Sequence, residues 1–151
     1  MRISVALPRD LVHVLALERD IAEAPHWSEA EYSAIAAAVE SSVRRRLLLA
    51  WEGGELVGFA VGKVAAAEAE LESVAVRASS RRCGVGRALC EAVLDWVWEQ
   101  GARISELEVR ASSVGAIELY AGLGFEVMGR RRRYYREPDE DAVLMRLERP
   151  R

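Results

Sequence analysis

A chain of 151 residues with a formal net charge of −3, 51% apolar and 30% charged, has the size of one domain and the composition of an ordinary soluble globular protein. These values exclude a disordered tail, a fibre, and the basic excess that drives nonspecific binding to nucleic acid or membranes. The two cysteines, Cys83 and Cys90, lie too close together and are too few for a disulfide framework or a zinc site, and no apolar run reaches the ~20 residues of a spanning helix. The expectation is one cytoplasmic domain over residues 1–151, without a membrane or a direct nucleic-acid role.

Ile3, Val5 and Leu7 alternate with polar or small residues, the period of a half-buried strand, and Pro8 closes it. From Asp10, a plausible N-cap, Leu11, Val14, Leu15 and Ile21 recur at helical spacing towards Pro25. Ser28 and Glu31 have the spacing of a capping box, followed by Tyr32, Ile35, Ala36 and Val39 on one helical face. Apolar runs at 47–51 and 56–64 flank Glu52-Gly53-Gly54-Glu55, whose paired glycines suit a tight hairpin. Residues 70–76 read as another strand, and after Gly86 the positions Leu89, Val93, Trp96 and Val97 make an amphipathic helix that stops near Gly101. Then come a strand at 104–109, a short helix capped by Ser113 and closed by Gly124, and two strands at 125–128 and 142–147. Residues 130–141 read as a charged, tyrosine-bearing connection between those last strands. The order β-α-α-β-β-β-α-β-α-β-β predicts an α/β fold: a mixed, mostly antiparallel sheet of about seven strands flanked by four helices.

The segment Arg81-Arg82-Cys83-Gly84-Val85-Gly86-Arg87 leaves a strand and opens a helix. Unpaired N–H groups at a helix start, with arginines beside them, suit a phosphate or pyrophosphate. There is no Gly-Lys-Ser/Thr of a Walker loop and no third glycine of a dinucleotide fold, which argues against ATP and NAD. Taken alone, the glycines equally suit a tight strand-to-helix turn.

Arg/Gln-x-x-Gly-x-Gly/Ala after Val74-Ala75-Val76 resembles the acyl-CoA pyrophosphate loop of the GNAT acetyltransferase superfamily. Leu107-Glu108-Val109-Arg110-Ala111-Ser112-Ser113, Ala116-Ile117-Glu118-Leu119-Tyr120, Leu123-Gly124-Phe125 and Tyr134-Tyr135 are similar to its ribosomal-protein-alanine N-acetyltransferase (RimI-like) branch. Trp27-Ser28-Glu29 and Glu140-Asp141-Ala142 extend the likeness over nearly the whole chain. Ser113 stands where that branch usually has asparagine, and Pro25-His26 where it has Phe-Pro.

The resemblance implies an acetyltransferase that uses acetyl-CoA as co-substrate and no metal. It implies that Val74, Ala75 and Val76 hold the pantetheine arm and that Arg82, Cys83, Gly84, Val85, Gly86 and Arg87 cradle the pyrophosphate, with Ser113 at the cofactor. It also makes Glu108 the general base and Tyr120 the general acid. Alone, Glu108 better suits a solvated strand face and Tyr120 a core ring. The implied acceptor is the N-terminal alanine of a small-subunit ribosomal protein. Other protein N-termini, lysine side chains or a small amine are alternatives, and a noncatalytic acyl-CoA sensor is a further one. A monomer or weak dimer is expected. Covalent catalysis by Cys83 or Cys90 is disfavoured because His13 and His26 are remote in sequence. Arg130-Arg131-Arg132-Arg133 reads either as a solvated face or as an attractor for ribosomal RNA or another acidic surface.

Overall fold

In a computed structural model, which describes residues 1–22, 24–37, 41–136 and 139–151, the elements follow the expected order. They are β1 (Arg2–Val5), α1 (Leu11–Asp20), α2 (Glu29–Ala36), β2 (Val43–Glu52), β3 (Glu55–Ala65), β4 (Glu68–Val76), α3 (Val85–Glu99), β5 (Ile104–Arg110), α4 (Val114–Gly122), β6 (Glu126–Tyr135) and β7 (Glu140–Glu148). Short 3-10 turns at Pro8–Asp10 and Ala78–Ser80 precede α1 and α3. The strands form one sheet in the order β1-β2-β3-β4-β5-β7-β6, and only the β4–β5 pair is parallel.

Local chemistry explains most of these boundaries. Gly53 and Gly54 both adopt positive φ, +55° and +80°, the two left-handed positions that a two-residue hairpin requires. The Ser28 hydroxyl accepts from the Glu31 N–H at 3.2 Å and starts α2. Asp10 differs from its expected role. Its carboxylate accepts from the Leu7 N–H at 2.8 Å and closes the 3-10 turn, so it does not cap α1 through its side chain. Ser113 occupies the N-cap of α4, but its hydroxyl makes no capping bond. Val39, assigned above to the face of α2, lies outside the described residues.

Two strand expectations are corrected. Val5 and Leu7 are exposed, because β1 is an edge strand of four residues and only Ile3 of the trio packs on the core. Residues 130–135 are strand, not connection. They continue β6, which pairs with β7 through Gly129, Arg130, Arg131 and Tyr135. β6 is the other edge and is exposed along nearly all its length, so neither face carries an apolar alternation to read.

One core lies between the sheet and α3, where Val85, Leu89, Val93 and Val97 are fully buried. The other lies between the sheet and α1 and α2, around Val14, Tyr32, Phe59 and Val61. β3 is sandwiched by both layers, which is why its run from Leu56 to Val64 is almost continuously apolar. α3 sits so close to β3 that a Cβ on Gly58 would lie 2.9 Å from the Ala75 carbonyl and 3.1 Å from Leu89. Gly58→Ala is therefore expected to destabilise the chain by about 1–3 kcal/mol. Urea denaturation checks this; an unchanged midpoint would show that β4 and α3 yield without cost.

Candidate active site

The parallel ladder between β4 and β5 is short: Glu68, Ala69 and Glu70 face Ile104, Ser105 and Glu106, and no pairing follows. A register shift in the β3–β4 ladder lies between the pairs Val61–Ser73 and Gly62–Leu71, so Glu72 bulges and β4 turns away from β5. A cleft of about 680 Å³ opens between the diverging strands.

The polarity of its β4 wall follows from the ladder. The Arg77 N–H donates to the Val57 carbonyl at 2.8 Å, and Val76 is opposite Gly58. Antiparallel pairing alternates, so the peptide groups of Val74 and Val76 point away from β3 and into the cleft, where β5 offers no partner. The Val76 carbonyl accepts from Arg81 Nε at 3.2 Å, consistent with that direction. An extended chain carrying amides can complete this edge.

At one end of the cleft, Arg82 and Gly84 take left-handed φ of +61° and +81°. Gly84 is the N-cap of α3 and contributes no capping side chain, so the first-turn N–H groups remain available to an anion at the positive end of the helix dipole. Gly86 lines the cleft, where a Cβ would come within 3.3 Å of Leu119 and narrow the passage between α3 and α4. Arg82 and Arg87 also line it; Arg87 is braced by Glu91 at 2.8 Å. Val74, Ala75, Val76 and Ser113 line its walls. Cys83 and Val85 do not. Cys83 is exposed beside the loop, and the Val85 side chain is buried in the core, leaving only its backbone N–H for a ligand. Sequence reasoning did not single out Ile21, Pro25, Glu72, Gly115, Ala116 and Leu119 as wall residues, and none of these carries a chemical signature for that role.

Tyr120 is buried with its ring against Phe125, at 6.1 Å between centroids, and it lines the cleft. Burial, then the neighbouring Cys90 and Tyr135, pushes the phenol above its ordinary range, so it keeps its proton throughout the physiological interval. Cys90 is itself pushed up to about 12 by burial and Glu91, which removes it as a nucleophile. The histidines are engaged elsewhere: His13 packs edge-on to Trp51, and His26 contacts Glu18 at 3.4 Å.

Glu108 alternates with the buried Leu107 and Val109 and projects to the opposite face of β5. α1 and α2 cover β2 and β3 on that face and leave a second recess, of about 260 Å³, over β4, β5 and β7. Glu108 and Leu107 line both spaces, which makes Glu108 the carboxylate at their junction. Arg131 Nη2 lies 3.5 Å from Glu108 Oε1, and the guanidinium stacks over Tyr134 at 5.3 Å. A hydrogen bond to Glu108, together with its charge, holds Tyr134 above the usual phenol range. Tyr135 lines the cleft with its ring under the Arg110 guanidinium at 4.4 Å. Glu140 anchors that corner by accepting from the Ser112 N–H and by pairing with Arg110.

This arrangement can hold an extended ligand with an anionic end between two strands, and it places a carboxylate where the cleft meets the second recess. A model of the acetyltransferase (GNAT) family matches residues 12–125. The chain is 42% identical over 98 residues to the [ribosomal protein bS18]-alanine N-acetyltransferase of Escherichia coli K12, covering 64% of this chain and 66% of that protein. It is 38% identical over 98 residues to the N-alpha-acetyltransferase RimI of Mycobacterium tuberculosis, covering 62% of this chain and 60% of that one. The chain thus spans about two thirds of the length of the curated relatives it matches. The crystal structure of the ribosomal-protein-S18-alanine N-acetyltransferase from Escherichia coli superimposes with a TM-score of 0.81 at 34% identity, covering 97% of this chain and 92% of that one.

Proposed function

The chain belongs to the acetyltransferase (GNAT) family, and from that premise we propose that it transfers the acetyl group of acetyl-CoA to the N-terminal amine of a protein, specifically an alanine-starting small-subunit ribosomal protein. The observation that carries this reading is the position of Glu108, shared by a cleft suited to an extended anionic ligand and by a recess open to a second substrate. The names of the relatives support the choice of acceptor.

The residues present fit acetyl-CoA. The first-turn N–H groups after Gly84, with Arg82 and Arg87, bind pyrophosphate oxygens. The inward peptide groups of Val74 and Val76 pair with the amides of the pantetheine arm, and Gly86 leaves room for it to pass Leu119. When bound, acetyl-CoA supplies an acetyl group activated as a thioester.

An N-terminal amine has a pKa of about 8 and arrives mostly as ammonium near neutrality. Glu108 takes one of its protons, so the N–H bond breaks and the carboxylate becomes a carboxylic acid. The freed lone pair attacks the carbonyl carbon, the C–N bond forms and the C–S bond breaks. The Val76 N–H, directed into the cleft, stabilises negative charge developing on the carbonyl oxygen. Tyr120 protonates the departing sulfur as general acid, and its oxygen regains a proton from the acylated nitrogen, which leaves a neutral amide and the CoA thiol. Its raised pKa keeps the phenol protonated at neutral pH.

The test is incubation of the purified chain with acetyl-CoA and three acceptors: an alanine-starting peptide, the same peptide blocked at its N-terminus but carrying a lysine, and a small diamine. One acetyl on the free α-amine of the first peptide is expected. Acetylation confined to the lysine or the diamine would reassign the acceptor.

A further inference from the structure

Arg131 comes from the four-arginine run that the sequence left without an assignment, and β6 presents it to the acceptor face. It does not reach the cofactor cleft; it lines the smaller recess together with Glu108, Glu70 and Glu106. Its guanidinium lies 3.5 Å from Glu108 and rests on the Tyr134 ring. The arginine side chain is half exposed (54%), whereas that of Glu108 is mostly covered (22%). The incoming ammonium needs that same carboxylate.

We propose that Arg131 is the resident counter-ion of Glu108 and that the acceptor's ammonium displaces it on entry, which makes Arg131 a determinant of acceptor affinity. The inference rests on the assignment of Glu108 as the base. Two cations cannot both occupy one small carboxylate face without repelling each other. A carboxylate that is taking up a proton also loses its attraction for arginine. Departure of the guanidinium relieves that repulsion, and its position on an exposed edge strand lets it leave without unpacking a core.

The recess supplies somewhere for it to go. Two carboxylates near that face are matched: Glu72 is held by Arg45 at 2.7 Å, and Glu106 by Arg146 at 3.3 Å. Glu68, which also lines the recess, has no ion pair among the described residues, and neither has Glu70. Lys63 faces it across the β3–β4 ladder and Glu106 across the β4–β5 ladder. Burial, followed by the charge of Glu72, holds Glu70 above the usual carboxylate range, with Lys63 opposing the shift. A guanidinium leaving Glu108 remains near Glu70 in the same recess.

The experiment compares the steady-state kinetics of wild type, Arg131→Gln and Arg131→Lys with an alanine-starting peptide and acetyl-CoA. Removing the competing charge is expected to lower the acceptor KM roughly two- to five-fold, the equivalent of one exposed ion pair. The KM for acetyl-CoA is expected to stay at its wild-type value, and Arg131→Lys, which keeps a cation there, to stay near wild type for both substrates. An acceptor KM that is unchanged or raised in Arg131→Gln would overturn the inference, since damage to the fold does not tighten binding. Measuring Glu108→Gln alongside separates the two readings. If Glu108→Gln alone leaves kcat/KM unchanged, the base assignment fails. If it lowers kcat/KM while Arg131→Gln leaves the acceptor KM unchanged, only the counter-ion inference fails.

Discussion

Glu108→Gln is expected to lower kcat/KM for an alanine-starting peptide about 10²- to 10⁴-fold near neutral pH, the usual contribution of a general base. Glutamine keeps the shape and the hydrogen-bonding oxygen but cannot accept a proton from ammonium. Folding should be little affected, because Leu107 and Val109 carry the burial of this part of β5. The loss has a characteristic pH dependence. Above the amine's pKa of about 8 a growing share of acceptor arrives already deprotonated, so the deficit should shrink as pH rises. Initial rates at saturating acetyl-CoA from neutral to alkaline pH measure this. A variant with wild-type kcat/KM at neutral pH would remove Glu108 from its role.

Tyr120→Phe should be the second-largest loss, about 10²-fold in kcat, with almost no change in melting temperature. The ring packs on Phe125 and phenylalanine keeps that contact, while the hydroxyl has no hydrogen bond to any described residue and is left for the ligand in the cleft. A purely structural tyrosine would show the reverse, a loss of stability with turnover retained. Because burial raises this phenol above its ordinary value of 10.0, its deprotonation lies beyond the working range. Any alkaline fall in wild-type kcat below that value therefore has another origin.

The elements whose position decides the fold were legible because each carries its own period or cap. Leu89, Val93, Trp96 and Val97 define α3, the paired glycines define the β2–β3 hairpin, and Ser28 starts α2. β6 was not legible past Met128, since an edge strand with both faces in water needs no alternation and can consist of four arginines. That error hid the most informative neighbour of Glu108. Arg131 reads as part of a solvated run, and only the pairing of β6 with β7, and of β7 with β5, brings it beside the carboxylate.

The cleft itself was legible only through the glycine loop. Its width comes from the end of the β4–β5 ladder after Glu70 and the bulge at Glu72, which are properties of three strands together and have no local signature. For the same reason the loop residues divide by where their atoms point. Gly84 and Gly86 serve the cleft directly, whereas the Val85 side chain serves the core and Cys83 faces solvent.

The splay between β4 and β5, closed at one end by the start of α3, is the proposed acetyl-CoA site. Thermal unfolding of the purified chain with and without acetyl-CoA tests it most directly. At about 100 times Kd the ligand should add about 2.7 kcal/mol of stability and raise the midpoint by several degrees. A midpoint unmoved by millimolar acetyl-CoA would contradict the assignment of the cleft, and with it the reaction built upon it.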